Sequence, residues 1–203
     1  MLMRKITAIL ILFISVITTA QSFEIAGGLG TGAFYFIEEV DNSVNTTYES
    51  PASLYFDLKY NFKDRIDGIK LRVQSTSVNI DGQDYQTGVA LDGNVETFTT
   101  LLMYERLRSD KVFNIGYQMG MGLTQQEFIR QKNSNIQPLE EKFMSVTFGG
   151  LYSIRLHEKL RLNLETAIFW TDPINTFRGS KNWQTAGEDI SFLAQLGVSY
   201  NFK

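Results

Sequence analysis

The chain has 203 residues with no cysteine, 3 prolines and 13% aromatics, and it carries 19 Lys and Arg against 22 Asp and Glu. That length suits a single domain; an acidic balance without a basic patch excludes nucleic acid as an expected partner, and the missing cysteine excludes disulfides and thiolate chemistry. Mean hydropathy is slightly negative, and after the first twenty residues no apolar run approaches the ~18 residues of a spanning helix, which excludes a helical membrane protein but not a β-barrel, apolar only at alternate positions.

Residues 1–20 stand apart. Arg4 and Lys5 precede an apolar run, Ile6–Thr19, that closes on the small residues Thr18, Thr19 and Ala20. This is the pattern of a cleaved signal peptide, and the run is too short to cross ~30 Å of hydrocarbon. It predicts export, cleavage after Ala20 and a single domain over 21–203. Cleavage removes two basic residues and makes the chain more acidic; no cysteine follows to carry a lipid anchor.

Eight alternating segments follow. Phe23–Ile37 leads into the polar stretch "EEVDNSVNTTYESP". Ala52–Phe62 carries Leu54, Phe56, Leu58, Tyr60 and Phe62 on one face and Tyr55, Asp57, Lys59 and Asn61 on the other. The turn "KDRIDG" joins it to Ile69–Ile80, which a Gly/Asp-rich loop connects to Val95–Arg108. After "SDK" comes Val112–Phe128, where Phe113 to Leu123 alternate with glycines and amides. Glu141–Leu156, Leu160–Thr171 and Ile190–Lys203 complete the series. Period-two alternation between turn residues is the signature of strands.

The connections alternate as well. Those starting near Glu38, Asp81, Ile129 and Asp172 are long, and those near Lys63, Ser109 and His157 are short. In an up-and-down sheet alternate connections share an end, so the short turns lie with both termini and the long loops opposite. Eight strands in that layout predict an all-β, eight-stranded antiparallel transmembrane barrel, closed so that no edge meets lipid. Tyr60, Phe62, Tyr104, Tyr200 and Phe202 fall at the short-turn end, where an interfacial aromatic girdle belongs.

With this layout, and with its closing aromatic-x-Phe, residues 23–203 resemble the small outer-membrane β-barrel families of Gram-negative bacteria. The Gln21 that follows Ala20 is similar to the signals of Bacteroidetes. The resemblance implies an outer-membrane location, contact with lipid and lipopolysaccharide, and recognition of Tyr200 and Phe202 by the barrel-assembly machinery. Lys203 departs from the family pattern, which ends on the Phe itself.

Polar parity points Asp57, Lys59, Lys70, Arg72, Glu105, Arg155, Arg161 and Glu165 into the lumen, all on the strand halves nearer the short turns. Eight strands leave room only for side chains, and buried charges must pair. An ion-pair network plugging that half is expected; the alternative is that rim residues such as Lys70, Arg155 and Arg161 reach water. In the other half Gly28, Gly30, Gly32, Gly120, Gly122, Gly149, Thr97, Thr99, Ser145 and Thr147 point inward, either opening a shallow vestibule or easing curvature. The segment Ile69–Ile80 breaks the pattern, because Ser75 and Ser77 fall on the lipid face; a bulge there would return Val78 and Ile80 to the outside.

"GGLGTG" lacks the following helix of a phosphate cradle, and "DGQD" and "DGN" lack calcium-loop spacing. The single histidine, His157, sits in a short turn, whereas the enzymatic barrels of this family place theirs near the outer rim; Glu38, Glu39 and Asp41 read as a solvated loop. The expectation is a non-enzymatic, cofactor-free barrel of structural or surface-interacting role, with a narrow channel or carrier of small hydrophobic molecules as the alternative and a soluble lipocalin-like barrel third. Its contacts would come from Val40–Ser50, Gln83–Asn94, Gln131–Leu139 and Pro173–Gly187, with Tyr85, Phe177 and Trp183 as exposed aromatics.

Overall fold

The computed structural model describes residues 22–36, 44–62, 66–84, 93–130, 139–171 and 189–202. They form nine strands: β1 Ser22–Phe36, β2 Val44–Tyr48, β3 Ala52–Asn61, β4 Asp67–Asp84, β5 Gly93–Leu107, β6 Phe113–Arg130, β7 Leu139–Arg155, β8 Leu160–Thr171 and β9 Asp189–Asn201. The sheet runs β2-β4-β3-β1-β9-β8-β7-β6-β5, and β4 pairs with β5 to close it. Both β2 and β3 pair along the same edge of β4, so they are two lengths of one barrel strand and the barrel is eight-stranded and antiparallel.

Side chains alternate in and out along each strand, but with the polarity of a soluble barrel reversed. Phe56 and Leu102 are 51% and 59% exposed on the outer wall, while Asp57 and Lys59 are buried inside. The final strand closes against the first, from Glu24 opposite Asn201 to Phe36 opposite Asp189, with Phe202 N–H donating to the Phe23 carbonyl at 2.9 Å.

Two expectations about the long-loop end need correction. No bulge interrupts β4: its ladder to β5 runs unbroken from Asp67–Arg106 to Ile80–Gly93. Val78 and Ile80 face the lumen, 2% and 0% exposed, while Ser75, Ser77 and Asn79 face out. The extra residue lies across the ladder. Tyr48 opposes Ile80 and Ala52 opposes Ser77, so Glu49, Ser50 and Pro51 face only Val78 and Asn79. Part of the expected loop Val40–Ser50 is therefore strand, since β2 pairs with β4 up to Asp84.

The physical reason is a change of surroundings along the strand. Outward Ile69, Leu71 and Val73 give way to Ser75, Ser77 and Asn79, while inward Lys70 and Arg72 give way to Val78 and Ile80. Glu96, Gln125, Glu127 and Lys142 continue the polar outer wall on β5, β6 and β7. Where water bathes the outer wall the apolar side chains turn inward, as in any soluble sheet. Below that level, Leu101, Met103, Ala167, Phe169 and Leu193 form a buried cluster within the lumen.

Candidate functional site

The charged layer lies on the short-turn side of that cluster. On β5, Glu105 follows Met103 toward the short turn; on β8, Glu165 precedes Ala167; on β9, Gln195 follows Leu193. Arg72, fully buried, is its centre. Its Nε and Nη2 grip Asp57 Oδ1 and Oδ2, each at 2.7 Å, across the β3–β4 rung where the two residues are direct partners. Nη2 also donates to Glu165 Oε2 at 2.7 Å and Nη1 to Gln195 Oε1 at 3.2 Å. The Tyr55 ring lies 4.0 Å from the guanidinium, and its hydroxyl donates to Glu165 Oε1 at 3.3 Å.

Lys70 completes the layer, donating to Glu105 Oε2 at 3.0 Å and Gln118 Oε1 at 2.6 Å, with Asp57 Oδ2 at 3.2 Å. Lys59 holds the other oxygen of Glu105 at 2.6 Å, and Gln118 donates to Glu165 Oε2 at 2.7 Å. Three cations thus meet three carboxylates, so the layer is neutral. At low dielectric such pairs offset their desolvation only when the remaining donors and acceptors are also satisfied, and the amides do this here. Gln195 continues the chain of bonds to Ser53 Oγ at 2.9 Å and Gln74 Oε1 at 3.1 Å.

Of the eight charged residues expected in the lumen, six meet in this layer and two do not. Arg155 and Arg161 sit at the short-turn rim, where both reach for Asp110, Arg155 at 3.5 Å. Between rim and layer is a crevice of about 20 Å³ beside Lys59, Glu105 and Asn163, room for about one water. Lys70, whose position allowed a solvated rim, is wholly enclosed.

Nor do the inward glycines open a vestibule at the layer. A side chain at Gly28 or Gly197 would strike the Tyr55 ring, one at Gly30 would strike Gln195, and one at Gly120 would strike Met103. The bare backbone is the floor on which long side chains of other strands lie. Tyr55, Gln118, Gln195 and Asp110 were not among the residues expected here. The inward parity of Tyr55, Gln118 and Gln195, polar groups between apolar neighbours, was the available signal.

Around the outer wall at the short-turn end, Phe23 packs on Tyr60 and Tyr60 on Phe62, with ring centroids 5.4 and 6.0 Å apart. Tyr200 meets Phe202 at 5.5 Å and Tyr104 meets Tyr117 at 6.2 Å. His157 is exposed in the turn between β7 and β8. Tyr85, Phe177 and Trp183, like the candidate signal peptide and the acidic trio Glu38, Glu39 and Asp41, lie outside the described residues.

Solved structures share this architecture. The attachment invasion locus protein Ail of Yersinia pestis, in complex with the heparin analogue sucrose octasulfate, is similar with a TM-score of 0.53 at 13% identity, covering 91% of this chain and 100% of that one. Neisserial surface protein A is similar with a TM-score of 0.54 at 7% identity, covering 89% and 97%. Likeness at such identity is one of fold. No protein-family model matches the chain, and no curated protein matches its sequence.

Proposed function

We propose that the chain is a non-enzymatic integral outer-membrane barrel, exported by a cleaved signal peptide, whose blocked lumen serves as a rigid post for structural or surface contact at the long-loop end. The observation that carries this reading is the reversed polarity: an exposed belt of Leu, Phe, Ile and Met outside, and a neutral layer of six paired charges inside. A soluble lipocalin-like barrel needs the opposite arrangement. The paired layer and the apolar cluster stacked upon it argue against a channel or carrier, which requires a continuous lumen. His157, at the short-turn end, is remote from the long loops and supports a role without catalysis.

Lipid and lipopolysaccharide are the surroundings that fit the belt, and the Tyr200–Phe202 pair fits a signal for the assembly machinery. Ail is solved with a sulfated heparin analogue, but the outer wall near the long loops here carries Glu49, Asp81, Glu96 and Glu127 against Lys142. Such a wall repels polyanions. The testing experiment is conductance of the folded chain in a planar bilayer. The wild type is expected to be silent, and Arg72→Ala and Glu105→Ala, each of which strands buried charge, to leak. Steady conductance steps in the wild type would overturn the blocked lumen.

A further inference from the structure

The outer wall is not uniformly smooth. Near the short-turn end, across β6 to β9, it holds a groove of about 580 Å³, within the ~300–1,000 Å³ of small-molecule sites. The register explains its shape. Ile115, Tyr152, Leu164 and Leu196 form one row of outward neighbours, and Phe113, Ile154, Leu162 and Val198 form the next. Phe113 and Tyr152 stand out as walls, 74% and 56% exposed, while Ile154 and Leu162 are half-buried and form the base.

At its short-turn end the lining changes character to Arg108, Ser109 and Lys111. Both cations are exposed, and neither has a carboxylate within ion-pair distance among the described residues. The acid of that turn, Asp110, is drawn to the opposite side by Arg155 and Arg161 at the lumen rim. The turn therefore separates its charges, its anion to the lumen rim and its two cations to the lipid wall. An apolar trough ending in two uncompensated cations is complementary to an amphiphile with an acyl chain and an anionic head.

We propose that this groove binds one anionic glycerophospholipid of the periplasmic leaflet, with its phosphate on Arg108 and Lys111 and an acyl chain along Ile154 and Leu162. Ser109 lines the groove with the two cations, and Tyr152 stands one rung beyond Ile154, farther from the short turn, along the path of the chain. The assignment of leaflet rests on the membrane reading above, in which the short turns face the periplasm. Basic side chains at a membrane surface select anionic headgroups in this way, and the groove adds a fixed seat for the chain.

The test is native mass spectrometry of the full chain in detergent, titrated separately with phosphatidylglycerol, phosphatidylcholine and lipid A. The wild type is expected to retain one phosphatidylglycerol in preference to either competitor. Arg108→Gln/Lys111→Gln should bind phosphatidylglycerol about thirtyfold more weakly, with phosphatidylcholine unchanged. Ile154→Trp, which fills the base of the groove, should weaken both. Equal retention of the two phospholipids, or a preference that survives loss of both cations, would overturn the site; a preference for lipid A would overturn the leaflet. Failure of the membrane reading looks different: the chain would remain monodisperse in buffer without detergent.

Discussion

Tyr55 reaches across the barrel from β3, over Gly28 and Gly197, to Glu165 on β8. A methyl group at position 197 would meet the phenol, and overpacking of this kind costs ~1–3 kcal/mol. Gly197→Ala is therefore expected to lower the urea midpoint of the folded chain, whereas in a Tyr55→Ala background the same change should cost less, with the Gly27 carbonyl at 2.8 Å as the remaining obstacle. Equal penalties in the two backgrounds would place the conflict in the backbone instead. Tyr55→Phe should cost about 1–3 kcal/mol, because it takes the hydrogen bond from Glu165 Oε1 while Arg72 and Gln118 hold only Oε2. The inward direction of Tyr55 was legible from its alternation with Leu54 and Phe56. Which glycines it would cover was not, because that follows from the register between β3, β1 and β9, and no local pattern encodes a register.

The β2–β3 strand and its partner β4 show what one residue does to an element. Across the offset at Glu49–Pro51, Tyr48 turns into the lumen mouth, where its ring lies 6.3 Å from Phe34. Deleting Ser50 removes the extra residue, and a period-two strand then runs from outward Ala52 through Pro51 and Glu49 to Tyr48, which still opposes Ile80 and faces in. A tryptophan introduced as Tyr48→Trp should therefore emit at the same wavelength in the full chain and in the deletion variant; a red shift on deletion would mean that the strand does not keep the rung between residues 48 and 80. The outer face of β4 and β5 also marks where lipid ends. Leu102→Lys, mid-belt, should cost ~2–4 kcal/mol on refolding into vesicles, and Ser77→Lys only ~0–1. The same change of surroundings made this element hard to read. "STSVNI" keeps its alternation while its apolar side changes from outward to inward, and a rule that keeps apolar residues on the lipid face reads that as a bulge. The real offset fell in a stretch of Asn, Thr, Glu and Ser that has the composition of a loop.

For the molecule as a whole, the alternation of long and short connections was the informative signal, because it constrains every strand at once, and the closed eight-stranded barrel followed from it. Parity likewise placed the six charges of the layer in the lumen. Arg155 and Arg161 shared that parity, but near the end of a strand the lumen meets the rim, and there Asp110 in the adjoining turn decides the partner. The layer has a consequence for how the molecule comes together. Asp57 and Arg72 are 15 residues apart and can pair in the β3–β4 hairpin, but Glu165 and Gln195 lie 93 and 123 residues from Arg72. Contacts so distant in sequence are late and slow to form. Until β8 and β9 arrive, the guanidinium and Lys70 lack part of their shell, and a closing pair slipped by one residue would turn Gln195 out of the lumen and bring an apolar neighbour in its place. The buried charges thus also favour the register in which the last strand meets the first, because only there is the shell of Arg72 complete.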